Sequence, residues 1–297
     1  MMRARHRHIF SAALLAVIFA PPVVAAPVPM EAVDVELVIA TDVSPSIDPQ
    51  EAQLQREGIA EAFLNPQVVS AIQSGSLGKI GVAYIDFSSR EFNKIVINWR
   101  VIKDKPSAAA FADTLRKAPR TFGRHTSISD ALELGQFLLE TNNLEGTKRV
   151  IDVSGDGPNN WGRDVTQVRD ALVKKRIVIN GLPIINDHGG FGTIADLDKY
   201  FINCVIGGPA AFIVVAKGFQ DFSRAIRNKL ILEISSETPA NAVRNPLLLK
   251  VAAAPLPPMQ VRPIPALPPR DPPVQTGCGN QFGGFGPFNG FDFPPRR

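Results

Sequence analysis

A largely apolar run ends abruptly in three side chains that carry oxygen: Asp42, Ser44 and Ser46. Two further polar turns carry Thr126 and Asp156. These five residues supply only oxygen donors, which select Mg²⁺, Ca²⁺ or Mn²⁺ over zinc or copper. Because Mg²⁺ takes six ligands, the set leaves a coordination position open. The pattern favours a divalent-cation site, with Mg²⁺ the first choice, that an acidic side chain from a partner protein or peptide can complete.

The elements that must position these residues follow from the apolar patterns. The run over residues 35–40 lacks regular polar alternation and is typical of a strand covered on both faces of a parallel sheet. In open α/β sheets, ligands bind beyond the carboxyl ends of the strands, which is where Asp42 and its neighbours would lie. Residues 80–87 and 92–99 read as two strands joined by a tight turn, which predicts an antiparallel pair at a sheet edge.

The remaining strands and helices alternate along the chain. Further strands are predicted over 148–154, 177–185 and 211–216. Helices are predicted over residues 49–64, 66–74, 106–117, 128–140, 164–175, 195–204 and 219–234. This order predicts a Rossmann-like α/β fold, with a doubly wound, mostly parallel sheet, one antiparallel edge strand and helices on both faces.

The two ends of the chain differ from its body. Residues 1–25 have the basic start, short apolar stretch and small residues of a secretory signal peptide, so we expect a secreted or periplasmic protein. The folded domain is expected over residues 26–238. More than half of the 26 prolines fall at or after Pro239, which predicts a disordered or polyproline II-like tail over 239–297. Its phenylalanines, spaced among glycines, suggest either a solvated tail or an adhesive segment.

Charge and cysteine content narrow the possible partners. Removing residues 1–25 takes away three arginines and no acids, so the net charge falls from +4 to +1. The body up to residue 238 carries 23 basic and 26 acidic residues, which argues against nucleic acid as a partner. The first apolar stretch is too short for a comfortable membrane span. Cys204 and Cys278 could pair in an oxidising compartment, or could remain a buried and an exposed free thiol.

At these residues the chain resembles a von Willebrand factor A-like domain with a metal-ion-dependent adhesion site. Asp42, Ser44 and Ser46 match its Asp-x-Ser-x-Ser motif, Thr126 its lone threonine and Asp156 the aspartate of its third loop. The resemblance implies that the two serines coordinate directly, the threonine directly or through water, and the aspartates partly through water. Three longer strings resemble one exported bacterial branch of unestablished function: residues 151–160, 179–183 and 204–209.

Other interpretations of the same residues remain open. Asp, Ser and Thr are ordinary turn and cap residues at strand ends. An aspartate-nucleophile phosphatase would use Asp42 to attack phosphorus, but that mechanism needs a second acid where Ser44 stands. A structural envelope protein could bind through its tail instead. We expect no catalysis, and we expect His125, Trp161 and Arg163 on the rim that meets the partner.

Overall fold

The computed structural model describes residues 29–185, 196–235 and 278. The expected signal peptide and the expected tail, apart from Cys278, lie outside the described residues. The same is true of residue 195, the expected start of the sixth helix. Among the helices of the described ranges, none is long and apolar enough to cross a membrane.

A six-stranded sheet forms the centre of the domain. Its strands, numbered along the chain, are β1 Glu31–Asp42, β2 Ile80–Phe87, β3 Lys94–Ile102, β4 Leu144–Gly155, β5 Ile177–Ile185 and β6 Ala216–Lys217. They lie in the order β3-β2-β1-β4-β5-β6. All neighbouring pairs are parallel except β2 and β3, which confirms the predicted antiparallel edge strand. β1 lies at the centre, and nearly every residue from Val33 to Ser44 is buried.

In the described ranges, seven α-helices surround the sheet: α1 Pro49–Leu64, α2 Pro66–Gln73, α3 Lys105–Lys117, α4 Ile128–Glu140, α5 Val165–Lys174, α6 Leu197–Tyr200 and α7 Phe222–Ile234. Six of them form two contact groups, since α1 packs against α2, α3 and α7, whereas α4 packs against α5. The α1 boundary matches its sequence signals, because Asp48 and Glu51 form a capping box and Pro49 is the first helical residue. The mostly parallel sheet and its surrounding helices confirm the predicted Rossmann-like α/β class.

Three predicted elements after residue 195 differ from the structure. The helix expected over 195–204 is the four-residue α6 followed by a π-helix over Phe201–Val205, closed by an Ile206 N–H to Phe201 carbonyl bond of 3.0 Å. The strand expected over 211–216 is shortened to β6. Within residues 211–215, only an isolated bridge pairs Ile213 with Gly181 of β5, and the Phe212 N–H donates to the Asn180 side chain. The last helix begins with a 3₁₀ turn before α7.

A disulfide joins Cys204 to Cys278, with a Cα–Cα distance of 5.6 Å. Cys278 is half-buried and packs against the hydrophobic core. The bond spans 74 positions of the chain, and a loop of that size contributes about 4–5 kcal/mol of stability in the chain-entropy treatment. The pairing that the sequence left open therefore exists, and it holds Cys278 on the domain.

Candidate metal site

Four of the five predicted ligands form one hydrogen-bonded cluster at the carboxyl ends of β1 and β4. The Ser44 N–H donates to Asp42 Oδ1 at 2.8 Å, and the hydroxyls of Ser44 and Ser46 lie 3.0 Å apart. Ser46 then donates to Asp156 Oδ1 at 2.8 Å. Asp42 is fully buried, whereas Ser46 is exposed, so the cluster runs from the interior to the surface.

The Asp42 loop is short and held at both ends. The Val43 N–H donates to the Phe87 carbonyl, which continues the pairing of β1 with β2 by one residue. The Ile47 N–H donates to the Ser44 carbonyl at 3.0 Å and closes a turn. Asp48 then caps α1 by accepting from two backbone N–H groups of its first turn. The side chains of Ser44 and Ser46 are thereby fixed between a central strand and a capped helix.

Thr126 lies on the adjacent loop, which is tied directly to the loop of Asp156. The Thr126 N–H donates to Asn160 Oδ1, and the Asn160 N–H donates to the Thr126 carbonyl, both at 2.9 Å. The Thr126 side chain is buried, with 4% of the residue exposed. The threonine loop and the aspartate loop therefore meet, although the described contacts of Thr126 are made by its backbone.

Ser88, which sequence reasoning missed, holds the threonine loop. Its hydroxyl donates to the His125 carbonyl and accepts from the Arg124 N–H at 2.9 Å, while its carbonyl accepts from the Ser127 N–H. The Gly123 N–H also donates to the Val43 carbonyl at 3.0 Å. The available sequence signal was a serine directly after β2, at the same sheet edge as Asp42.

The predicted rim residues separate into two groups. The rings of His125 and Trp161 stack with centroids 4.2 Å apart and an interplanar angle of 9°. Trp161 is 47% exposed and Phe122, on the threonine loop, is 62% exposed. Arg163 instead forms an ion pair with Glu133 of α4 at 2.8 Å. Two of the three predicted residues therefore lie together, and the third is engaged elsewhere.

The electrostatics of the cluster are unbalanced. No Lys or Arg of the described residues forms a salt bridge with Asp42 or Asp156. Arg56 lines the same cavity of about 320 Å³ as Asp42 but pairs with Asp86 at 2.8 Å. Burial, and then the charge of Asp156, raises the pKa of Asp42 well above its ordinary value, against the opposing Ser44 N–H. Burial also raises the pKa of Asp156, although the Ser46 hydroxyl lowers it.

The residues present fit a hard divalent cation. Asp42 Oδ2 is buried and has no hydrogen-bond partner among the described atoms. Gly155 permits this close packing, because a Cβ there would lie 3.1 Å from that oxygen. Within the described ranges there is no group of three or more His, Cys, Asp and Glu side chains suited to a metal. The side chains brought together here are instead two carboxylates and two serine hydroxyls, with Thr126 on the adjacent loop. Oxygen donors of this kind are the ones that Mg²⁺, Ca²⁺ and Mn²⁺ accept.

The mostly parallel six-stranded sheet with its surrounding helices has the fold of von Willebrand factor A-like domains. The model of a family described as "Protein of unknown function (DUF1194)" matches residues 32–238, and the chain belongs to that family.

Solved structures share the fold at low identity. A von Willebrand factor type A structure from Catenulispora acidiphila is 12% identical, with a TM-score of 0.50 over 70% of this chain and 44% of its own. Proximal thread matrix protein 1 from the mussel byssus, with a zinc-occupied MIDAS motif, is 20% identical, with a TM-score of 0.49 over 68% and 46%. The pilus adhesin SpaC from Lactobacillus rhamnosus GG is 14% identical, with a TM-score of 0.49 over 69% and 32%.

The matched region spans less than half the length of each of these three chains. At such identities the similarity describes the fold alone. No curated protein matches the chain.

Proposed function

We propose that this chain is an exported domain that binds a divalent cation and, through it, an acidic side chain of a protein or peptide partner. The cation would be held by Asp42, Ser44, Ser46, Thr126 and Asp156, with Mg²⁺ the first choice and Ca²⁺ or Mn²⁺ the alternatives. The observation that carries this proposal is the pair of buried carboxylates, Asp42 and Asp156, which have no salt bridge to a Lys or Arg of the described residues and lie next to the hydroxyls of Ser44 and Ser46. When bound, the cation supplies the positive charge that offsets both carboxylates and attracts a third from the partner.

The same residues support binding rather than catalysis. A phosphatase with Asp42 as nucleophile needs a general acid two residues later, and Ser44 cannot supply one at neutral pH. The Ser44 hydroxyl is instead within hydrogen-bonding distance of Ser46, another candidate ligand. The proposed role of the cluster is therefore to hold a cation and its carboxylate partner in place.

The proposed contact surface lies around the exposed end of the cluster. Trp161 presents a partly exposed ring, stacked on His125, at the loop that follows Asp156. Aromatic side chains supply large contact area at low entropic cost and often anchor protein partners. Arg163, bound to Glu133, would contribute at the edge of this surface and not at its centre.

The direct test is calorimetric titration of Mg²⁺ into the purified chain, into Asp42→Ala and into Asp113→Asn. Asp113 is an exposed acid that pairs with Lys117 on α3 and serves as the charge-matched control. We expect saturable binding to the wild type and to Asp113→Asn, and none to Asp42→Ala. A pull-down from envelope extract, with and without EDTA, then tests whether partner binding depends on the cation.

Two results would contradict the proposal. Partner binding that survives both EDTA and Asp42→Ala would show that the cluster plays no part, and deletion of residues 239–297 would then test the tail as the binding element. Release of phosphate from an aryl phosphate, lost in Asp42→Ala, would favour the phosphatase.

A further inference from the structure

The cavity of about 320 Å³ beside Asp42 is a feature separate from the candidate metal site. It is lined by the ends of β1 and β2, the first half of α1, the end of α3 and the segment that follows α3. Of the five proposed cation ligands, all of which lie in the described ranges, Asp42 alone lines it. Its volume is at the lower end of the range of pockets that hold small molecules, about 300–1,000 Å³.

The buried wall of this cavity lacks hydrogen-bond donors. Thr41 and Asp86 are register partners on β1 and β2, and Gln55 of α1 lines the same cavity. Thr41 Oγ1, Asp86 Oδ1 and Gln55 Oε1 are all buried and have no hydrogen-bond partner of good geometry among the described atoms. Burial, and then the charge of Asp86, raises the pKa of the adjacent Tyr84 hydroxyl. Its single proton can serve only one of these acceptors, so the wall can take further donors from a ligand.

The carboxylate of Asp86 is only partly satisfied by the protein. Its Oδ2 accepts from Arg56 at 2.8 Å and from the Thr121 hydroxyl. The guanidinium of Arg56 is shared, because it also donates to two backbone carbonyls after α3. Burial raises the pKa of Asp86, although Thr121 and Arg56 oppose the shift. An ammonium group has three donors and a positive charge, which is the chemistry that the free oxygens of Asp86 and Gln55 accept.

The exposed side of the cavity has the opposite chemistry. Arg120 is exposed there and forms no salt bridge within the described ranges, while its guanidinium lies 5.3 Å from the centroid of the Phe122 ring. Arg116 also lines this side but is paired with Glu57 of α1. A guanidinium without an acid partner is a binding group for a carboxylate.

The rest of the lining favours a short, uncharged stem and a ligand without net charge. Three apolar residues can contact methylene groups: Val43, Ala52 and Ala118. The charged residues of the lining balance, with three acids and three arginines: Asp42, Glu57 and Asp86 against Arg56, Arg116 and Arg120. A molecule that carries one charge of each sign matches this lining better than an amine or an acid alone.

We propose that this cavity binds a small amino carboxylate, a molecule with an ammonium group at one end, a short aliphatic stem and a carboxylate at the other end. The ammonium group donates to Gln55 Oε1 and Asp86 Oδ1, and the carboxylate accepts from Arg120. The ligand thereby supplies donors where the buried wall lacks them and an acceptor where the exposed side has a free guanidinium. The inference goes beyond the proposed function and does not need a bound cation.

Calorimetric titration of the full chain in EDTA, with amino carboxylates of increasing length, tests the site. The series is glycine, β-alanine, 4-aminobutyrate and 6-aminohexanoate, and the single-group controls are butylamine and butyrate. We expect saturable binding with an optimum at one length. Butylamine and butyrate should bind at least about tenfold more weakly than 4-aminobutyrate, because each lacks one of the two charge-assisted contacts.

Two variants separate the two ends of the ligand. Arg120→Ala should weaken binding of the best amino carboxylate about tenfold and leave butylamine binding unchanged. Gln55→Leu should weaken binding of both, because both place an ammonium group at the buried wall. Arg100→Ala, at an exposed position of β3 outside the lining, is the matched control and should bind like the wild type. Because Gln55 is buried, urea unfolding checks that its variant is folded, and Arg120→Ala tests the carboxylate end independently.

Three results would overturn the inference. If no member of the series binds at millimolar concentration, the cavity holds only ordered water. Binding that survives both Arg120→Ala and Gln55→Leu would show that the ligand lies elsewhere. Binding that appears only in Mg²⁺ and is lost in Asp42→Ala would assign the ligand carboxylate to the cation instead. Since the titrations are made in EDTA, their outcome is independent of whether Mg²⁺ binds at Asp42.

Discussion

Two groups of buried acids each include an aspartate in or just after β4, and they differ in whether the protein supplies a counter-charge. Asp152, within β4, forms a salt bridge with the fully buried Lys229 of α7. Asp156, just beyond β4, hydrogen-bonds to Ser46 and raises the pKa of Asp42, with no Lys or Arg of the described residues bonded to either carboxylate. The first group contains its own counter-charge, and the second does not.

The core group is a network with charges of both signs. Lys229 also lies 3.8 Å from Glu233, which pairs with Lys148 and accepts from Asn180. Burial raises the pKa of Asp152 to about 6, although Lys229 opposes the shift. A buried charge is tolerated only when it is paired, and each buried acid of the core group lies next to a lysine. We therefore assign the core group a role in stabilising the fold. We propose that the uncompensated pair at the sheet edge, Asp42 and Asp156, takes its cation from solution.

Breaking the core pair should have the largest effect. Lys229→Met leaves Asp152 buried without its cation, and removal of one partner of a buried pair costs about 3–5 kcal/mol. Urea unfolding of the variant measures this loss. In the double variant Lys229→Met/Asp152→Leu the unpaired charge is gone, so most of the stability should return. A single variant that loses less than about 1 kcal/mol would contradict the structural role.

In the absence of a cation, Asp42→Asn should not lower the stability of the chain, in contrast to Lys229→Met. The asparagine keeps the oxygen that accepts from Ser44 but removes a charge next to Asp156, so the cation-free chain should be as stable as wild type or about 1 kcal/mol more stable. Bound Mg²⁺ should stabilise only the wild type, by about 2.7 kcal/mol at a hundred times its Kd. Thermal unfolding with EDTA and with Mg²⁺ measures both. Equal Mg²⁺ stabilisation of wild type and variant would refute the site.

Ser46→Ala should have a smaller effect on the same site. The substitution removes a proposed ligand and the hydrogen bond that orients Asp156. Loss of a group that orients a metal ligand already weakens metal affinity about 10–100-fold. Calorimetric titration of Mg²⁺ measures the change, with Ser70→Ala, at an exposed position of α2, as the control. Affinity equal to that of the control would exclude Ser46 as a ligand.

The smallest expected effect is a pH dependence. Because the pKa values of Asp42 and Asp156 are raised from 3.8 in the folded chain, the cation-free protein loses stability as the pH rises from about 4 through the folded pKa values. A bound cation displaces those protons. The rise in melting temperature caused by Mg²⁺ should therefore be larger at pH 7.5 than at pH 5. An equal rise at both values would indicate binding elsewhere.

The sequence predicted the parts of the molecule that local patterns determine. The apolar run before Asp42, the capping box of α1 and the hairpin over β2 and β3 are encoded by neighbouring residues, and the structure contains all three. The fold class followed from their order. The cluster of Asp42, Ser44, Ser46 and Asp156 was predicted because the carboxyl ends of parallel strands share one edge.

The remaining features depend on contacts between distant residues. The salt bridge of Asp152 joins positions 77 apart, and the only local signals were an acid inside an apolar strand and a lysine in an apolar helix. The pairing of Cys204 with Cys278 needed a distance that spacing along the chain does not give. Ser88 resembled an ordinary turn residue, because its role comes from bonds to the separate loop that carries His125.

Anomalous diffraction from crystals of the chain grown with Mn²⁺ tests the central claim most directly. The account predicts one strong Mn²⁺ peak at ordinary metal–oxygen distance from the hydroxyls of Ser44 and Ser46, beside Asp42, Thr126 and Asp156. Crystals of Asp42→Ala should lack it, and those of Asp113→Asn should keep it. A strong peak elsewhere, or full Mn²⁺ occupancy in Asp42→Ala, would contradict the account.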